Sequence, residues 1–121
     1  MSAPKTIRIR MYQVGFGDCF LLSFDYSPKP ARHVLIDCGS MASPQGSPSG
    51  LIRRVPPSIA DTVGNDPFAV VATHRHADHV SGFDPGANGK GAGAIIAALK
   101  PRFVVQPWTE DPRLPTDAEA T

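Results

Sequence analysis

The chain has 121 residues, which is enough for one domain, and its 41% hydrophobic and 19% charged residues are ordinary for a globular protein. Twelve basic and 11 acidic residues leave a net charge of +1, so the composition gives no strong nucleic-acid signal. No apolar stretch approaches the roughly 20 residues of a membrane span, and the first residues lack the apolar core of a signal peptide, so we expect a cytoplasmic protein.

Three strands are predicted in the first third of the chain. Residues 6–13 alternate apolar and polar side chains, which is typical of a half-buried strand. After a glycine turn, the apolar residues 19–24 predict a second strand and residues 33–37 a third. Residues 40–50 are rich in Ser, Pro and Gly and predict a loop.

The rest of the chain predicts helices alternating with strands. Pro57 is expected at the first position of a helix, where its missing N–H removes no helical hydrogen bond. The order of elements is that of an α/β domain, which we place at residues 1–108, followed by a polar tail at 109–121. The elements are predicted at residues 51–55 (a helical turn), 57–63 (helix), 68–72 (strand), 92–100 (helix) and 103–106 (strand).

Two isolated cysteines and one isolated histidine carry no recognisable motif. Cys19 and Cys38 are too few for a disulfide scaffold, and we expect two reduced, partly buried thiols. His33 is the first residue of the third predicted strand, and we expect it to be an exposed strand residue.

A histidine-rich segment follows the strand predicted at residues 68–72. His74, His76, Asp78 and His79 place three imidazoles and a carboxylate within six residues, at the end of a strand where α/β sheets hold their sites. These donors suit zinc, manganese or iron, and four of them so close in sequence fit two metal ions about 3.5–4 Å apart better than one. The alternative is a surface loop that happens to be rich in histidine.

This segment resembles the signature of a known family. Residues 74–79, followed by Val-Ser-Gly, are similar to the His-x-His-x-Asp-His motif of the metallo-β-lactamase superfamily. Residues 14–19 and 34–39 resemble the opening strands of that family. The Gly-x-Gly-Asp turn is especially similar to the branch that includes the hydrolase domain of bacterial DNA-uptake channel proteins. The resemblance covers residues 7–108.

The resemblance implies a role for each of five residues. His74 and His76 would bind a first metal ion, and Asp78 and His79 a second. Asp37 resembles an aspartate that organises the site through hydrogen bonds, so Asp78 and Asp37 are the expected catalytic carboxylates. Zinc is the expected cofactor, and a hydroxide held by the metals would attack an ester, thioester, amide or phosphodiester. The alternative for Asp37 is a surface carboxylate at the end of a strand.

The family takes further ligands from well downstream, whereas no histidine follows His79 in this sequence. The resemblance therefore implies the first half of an αββα sandwich, with a mixed sheet and helices on one side of it. We expect weak metal binding and no hydrolase activity from the 121 residues alone. The alternatives are a catalytically silent half-domain and an interaction module, and the uncovered sheet predicts self-association or a complementing second half.

Overall fold

The computed structural model describes residues 2–41 and 48–107, with the backbone alone for residues 48–52. The predicted domain end at Trp108 and the predicted tail at 109–121 lie outside these residues. The strands are β1 (Thr6–Met11), β2 (Cys19–Asp25), β3 (Arg32–Cys38), β4 (Phe68–Val71) and β5 (Val104–Val105). The helices are α1 (Pro48–Val63), α2 (Ala77–Val80) and α3 (Ala92–Ala98), with a 3-10 turn at Ser81–Phe83.

The five strands form one mixed sheet in the order β1-β2-β3-β4-β5. The first three strands are an antiparallel meander, whereas β4 and β5 join in parallel, each after a helical connection. The predicted α/β class and mixed sheet are confirmed. Because β3 and β4 are parallel, their carboxyl ends lie at the same edge of the sheet, which is where the histidine-rich segment begins.

The core lies between one face of this sheet and helices α1 and α3. Leu21 and Leu35 of the sheet are 1% and 0% exposed, and they belong to the same buried cluster as Ile59 of α1 and Ile96 of α3. Burying each such side chain stabilises the fold by about 1.5–3 kcal/mol relative to leaving it exposed. Among the described residues, no helix is both long and apolar enough to cross a membrane.

The prediction of a loop at residues 48–50 and of a separate helix starting at Pro57 is wrong, whereas residues 42–47 of the predicted loop lie outside the described residues. A single helix, α1, begins at Pro48 and contains Pro56 and Pro57 in its interior. Proline in a helix interior removes a hydrogen bond and costs about 3 kcal/mol. The helix continues because Val55, Ile59 and Val63 recur every four residues on one face and are 6%, 0% and 1% exposed.

The expectation of an exposed His33 is also wrong. The His33 side chain is 4% exposed, its Nε2 lies 2.9 Å from Asp66 Oδ2, and its Nδ1 lies 2.8 Å from Ser23 Oγ. Since the carboxylate only accepts, Nε2 carries the proton and Nδ1 accepts from the Ser23 hydroxyl. His33 therefore ties β2, β3 and the segment before β4 together as a hydrogen-bonded core residue.

Candidate metal centre

The histidine-rich segment forms a short loop and helix α2 beside the carboxyl end of β3. β4 ends at Val71, and α2 begins at Ala77. The His76 carbonyl accepts hydrogen bonds from the backbone N–H groups of His79 and Val80, at 2.9 and 3.2 Å, which closes this single helical turn. The turn places Asp78 and His79 next to the loop that carries His74.

Two glycines allow the backbone of α2 to approach the rest of the sheet edge. The Asp18 backbone N–H donates to the Asp78 carbonyl at 3.0 Å. A Cβ atom added to Gly17 would lie 2.0 Å from the Gly39 carbonyl oxygen, and one added to Gly39 would lie 2.5 Å from the Asp78 carbonyl carbon. No side chain fits in either gap. The absence of a side chain at Gly17 and Gly39 therefore allows α2 to lie close to the ends of β2 and β3.

Asp37 connects the end of β3 to both sides of the histidine-rich segment. Its side chain is 4% exposed. One carboxylate oxygen accepts from the Thr73 backbone N–H at 2.7 Å, and the other accepts from the Thr73 hydroxyl at 2.6 Å and lies 2.9 Å from His79 Nδ1. Asp37 also has a φ of 58°, in the left-handed region that non-glycine residues rarely adopt. This unusual conformation is held in place by the three hydrogen bonds.

The same hydrogen bonds determine which ring nitrogens are free to bind a metal. The Thr73 hydroxyl gives its hydrogen to Asp37, so at 3.1 Å it accepts a hydrogen bond from His74 Nδ1. His79 Nδ1 likewise donates to Asp37. When each ring is neutral, its proton is on Nδ1 and its Nε2 carries the lone pair that a metal ligand needs. Carboxylates and hydroxyls orient ligating histidines in this way in metal sites.

Three side chains then bring donor atoms together. His74, Asp78 and His79 each offer one atom, and these atoms all lie within 4.8 Å of one another. His79 Nε2 is 3.2 Å from Asp78 Oδ2, and the rings of His74 and His79 have centroids 3.7 Å apart. Two imidazoles and one carboxylate are a donor set found in catalytic zinc sites, where water takes the fourth position. The residues present therefore fit a zinc-type ion.

His76 lies outside this three-residue group. Its side chain is exposed, and its ring centroid is 4.8 Å from that of His74, edge to face. The resemblance implied one ion on His74 and His76 and another on Asp78 and His79. The structure groups His74 with Asp78 and His79, and the pairing that the resemblance implies stays a prediction.

Asp18 is a candidate site residue that the sequence analysis missed. Asp18, Asp37 and His79 form a second group of donors within 4.8 Å, with Asp18 Oδ2 3.4 Å from His79 Nδ1. The Asp18 side chain is 48% exposed, so its carboxylate also faces solvent. The signal that could have identified it is its position directly after the Gly-x-Gly turn.

The carboxylates around His79 set its charge. Burial, the largest single influence, disfavours the imidazolium, but the hydrogen bond to Asp37 and the charges of Asp78, Asp37 and Asp18 together outweigh it. The pKa of His79 is therefore raised above its ordinary value. A centre that favours a proton on His79 also attracts a metal cation, so the two compete for the same ring.

The two cysteines lie side by side in the core, and burial keeps Cys19 out of this chemistry. Cys19 and Cys38 are free, both are 0% exposed, and they face each other across β2 and β3. The hydrogen bond with Cys38, burial, and electrostatic interactions with Cys38 and Asp37 raise the pKa of Cys19 far above its ordinary value. Cys19 therefore stays protonated and provides neither a nucleophile nor a thiolate ligand.

Comparison with known proteins gives a family but no individual relative. The family model described as the metallo-beta-lactamase superfamily matches residues 12–118. No curated protein and no solved structure matches the chain. The family match starts directly after β1, runs through the glycine turn, Asp37 and the whole histidine-rich segment, and covers most of the sequence. The chain belongs to the metallo-β-lactamase superfamily.

Proposed function

We propose that this chain provides the metal centre of a metal-dependent hydrolase that acts on ester, thioester or phosphodiester substrates. The observation that carries the proposal is the convergence of His74, Asp78 and His79 within 4.8 Å, at the edge of the sheet where β3 and β4 end. Membership of the metallo-β-lactamase superfamily supports a hydrolase-type fold. Zinc is the proposed ion, because nitrogen and carboxylate donors in a set of three are typical of it.

Each residue has a separate task in this proposal. His74 and His79 hold the ion through Nε2, and Asp78 supplies the negative charge that a divalent cation needs. Asp37 fixes the His79 ring, and through Thr73 it also fixes the His74 ring. When bound, the ion would activate water and polarise the substrate oxygen. The exposed His76 is proposed as an additional, outer donor.

Among the substrate classes, we propose phosphodiesters. The Gly-x-Gly-Asp turn at residues 15–18 is similar to that of the DNA-uptake branch, which favours nucleic-acid-derived substrates. We also propose a cytoplasmic location, because a chain with two isolated cysteines lacks the disulfide-rich pattern that is typical of small secreted domains.

Cobalt substitution tests whether the centre is of the hydrolytic type. A catalytic site keeps a coordination position open for water or substrate, whereas a structural site is closed. We expect the cobalt-loaded chain to show a visible absorption band that shifts when inorganic phosphate is added. His74→Ala should lack the band, and Arg75→Ala, at an exposed neighbouring position, should retain it. A band that does not respond to phosphate would contradict the hydrolase proposal.

We further propose that the 121 residues alone do not sustain turnover. In the described part of the chain, the two donor groups share His79, so they do not provide each of two ions with its own histidine. A catalytically silent metal-binding domain is therefore the second candidate function.

Phosphodiester and thioester hydrolysis by the zinc-loaded chain tests whether the 121 residues sustain turnover. We expect no turnover above that of His74→Ala. Turnover that is present in the wild type and in Arg75→Ala, but lost in His74→Ala, would show that the described donors suffice. That result would rule out the silent domain.

A further inference from the structure

Three polar side chains form a second hydrogen-bonded cluster, near the amino ends of β3 and β4. Ser23 lies on β2, His33 on β3, and Asp66 in the segment before β4. Ser23 Oγ is 2.8 Å from His33 Nδ1, and His33 Nε2 is 2.9 Å from Asp66 Oδ2. The donor groups of the metal centre, at the opposite ends of these strands, contain none of the three.

The tautomer of His33 gives each member of the cluster a distinct role. Because the Asp66 carboxylate only accepts, Nε2 carries the ring proton, and Nδ1 presents its lone pair to the Ser23 hydroxyl. The hydroxyl thus donates to a base, and a carboxylate orients that base. A hydroxyl, a base within hydrogen-bond reach of it and a third group that orients the base are the signature of an activated nucleophile.

Burial and backbone hydrogen bonds hold this arrangement in place. His33 is 4% exposed, and its backbone N–H donates to the Pro67 carbonyl at 2.9 Å. The Asp66 side chain is 33% exposed, and the Asp66 N–H donates to the Val63 carbonyl at 3.0 Å. Hydrogen bonds in such an interior are electrostatically stronger than in water. The ring is therefore oriented towards Ser23 before any substrate binds.

The Ser23 hydroxyl lies where the helical layer ends. Arg10 Nη1 donates to Thr62 Oγ1 at 2.7 Å, which places the last turn of α1 over the row of Arg10 and its register partner Leu21. Ser23 is in the next row on the same face, and α1 ends at Val63. Accordingly, Leu21 is 1% exposed, whereas Ser23 is only half-buried. Ser23 is therefore partly open to solvent.

A cation lies beside the hydroxyl. Arg8 of β1 pairs in register with Ser23, so both side chains are on the same side of the sheet. Residues directly opposite in antiparallel strands have Cβ atoms about 4.5–5.5 Å apart, which is within reach of a guanidinium. Arg8 is exposed, and among the described residues no ion pair joins it to a carboxylate. It can therefore stabilise negative charge that develops next to Ser23.

From these observations we propose that Ser23, His33 and Asp66 form a second, metal-independent catalytic site that hydrolyses carboxylic esters through an acyl-serine. Ser23 Oγ attacks the carbonyl carbon, and its proton passes to His33 Nδ1. Arg8 stabilises the oxyanion of the tetrahedral intermediate, and Asp66 stabilises the protonated ring. The C–O bond of the ester then breaks, and the departing alkoxide takes the proton from Nδ1 and leaves as an alcohol.

The second half of the reaction repeats these steps with water. Water attacks the acyl group on Ser23 and gives its proton to His33 Nδ1. The bond from the acyl carbon to Ser23 Oγ breaks, and Oγ takes the proton back as the carboxylic acid leaves. This site does not depend on the metal-hydrolase proposal, since it shares no residue with the metal centre.

Trapping with a fluorophosphonate in the presence of a metal chelator tests the proposal. Ser23 Oγ bonds to phosphorus as fluoride leaves, and the stable product marks the reactive serine in a peptide map. We expect the label on Ser23, and Ser23→Ala should lose it. Ser27→Ala is the matched control and should keep it, since the exposed Ser27 hydroxyl donates to the Asp25 carboxylate instead of to an imidazole.

Two further variants test the base and the residue that positions it. His33→Gln keeps a hydrogen-bonding side chain that cannot take up the proton, so labelling should slow at least about hundredfold. In Asp66→Asn the amide can donate to Nε2, which moves the ring proton to Nδ1, and labelling should slow by a similar factor. Nitrogen NMR shifts of His33 report this move, which a purely structural role of Asp66 would not produce.

Peptide maps of the wild type decide the proposal without relying on any variant. A wild type that carries no label on Ser23 would overturn it, and so would equal labelling of Ser23 and Ser27. A His33→Gln variant that is folded by circular dichroism and reacts as fast as the wild type would also overturn it. Label on Ser23 only in zinc-loaded protein would contradict a metal-independent site.

Discussion

Asp37 has a left-handed backbone conformation, and the residue is only 3% exposed. Its carboxylate is hydrogen-bonded to Thr73 and His79. The strain of such a conformation persists only where surrounding contacts fix it, and these positions are common at functional sites. Asp37 lies outside the three-donor group, yet it determines which nitrogen each of the two ligating rings presents. Its role in the proposed site is that of a positioning residue.

Asp37→Asn should therefore weaken zinc binding without removing a ligand. Asparagine tolerates the left-handed conformation, so the backbone is expected to stay in place. Loss of the charge and of the fixed acceptors should reduce zinc affinity by about 10–100-fold. Competition with a chromophoric chelator measures this, with Asp25→Asn, at an exposed carboxylate far along β2, as the control. Equal affinity in wild type and Asp37→Asn would disprove the positioning role.

Zinc binding should also depend on pH through His79. The protonated ring cannot bind a metal, so apparent affinity should fall by up to about tenfold per pH unit below the raised pKa of His79. In the metal-free chain, folding stability depends on pH in the opposite direction to zinc affinity. A raised pKa adds stability that is fully present below the unfolded-state value and is lost as the pH rises through the folded-state value.

Zinc titrations and metal-free melting curves between weakly acidic and weakly alkaline pH measure both effects. In Asp37→Asn the fall in affinity should move to lower pH, because one cause of the raised pKa is removed. An affinity that is constant across this pH range would show that His79 is not a ligand.

At the scale of elements, the site depends on how closely α2 approaches the ends of β2 and β3. Gly39→Ala should displace α2, since the new Cβ would lie 2.5 Å from the Asp78 carbonyl carbon. We expect zinc affinity to fall at least about tenfold, with the circular dichroism spectrum of the fold retained.

Gly89→Ala is the matched control for this substitution. It adds the same methyl group to a glycine loop, at a position where a Cβ meets nothing within 4 Å. Gly89 has a φ of 71°, so an alanine there is strained. Gly89→Ala therefore also controls for the loss of a glycine from the backbone. If both variants lost zinc equally, close packing of α2 would not be the cause.

The elements themselves were largely predictable from the sequence, and the exceptions have physical reasons. The strands were predicted from one run of alternating residues and from several apolar runs. A strand with one buried face has a period of two, and a strand covered on both faces is apolar throughout. The continuous helix α1 was not predictable, since local rules exclude prolines from a helix interior and only the core contacts of Val55 and Ile59 override them. The burial of His33 depends on Asp66, which is 33 residues away in sequence.

The candidate site was predictable as a set of residues but not as a geometry. The spacing of His74, His76, Asp78 and His79 identifies metal-binding side chains, but it does not determine which rings turn towards one another. That orientation comes from Asp37 and Thr73, which lie 36 residues apart in sequence and meet because β3 and β4 are parallel neighbours. Asp18 reaches His79 for a similar reason, through the hydrogen bond that joins its backbone to α2.

For the whole molecule, the apolar core and the metal centre lie on different parts of one sheet. Helices α1 and α3 pack on one face, whereas the donors gather at the edge where β3 and β4 end. Loss of a single donor should therefore leave the fold intact. This separation makes metal binding measurable in folded variants.

The central claim is that His74, Asp78 and His79 form a metal centre, and zinc content after dialysis tests it most directly. We expect about one zinc per wild-type chain, since the donor group provides the three protein ligands of one zinc ion. Arg75→Ala should retain this zinc, His76→Ala should retain more than His74→Ala, and His74→Ala should lose most of it. Equal zinc content in the wild type and His74→Ala, with both folded by circular dichroism, would contradict the account.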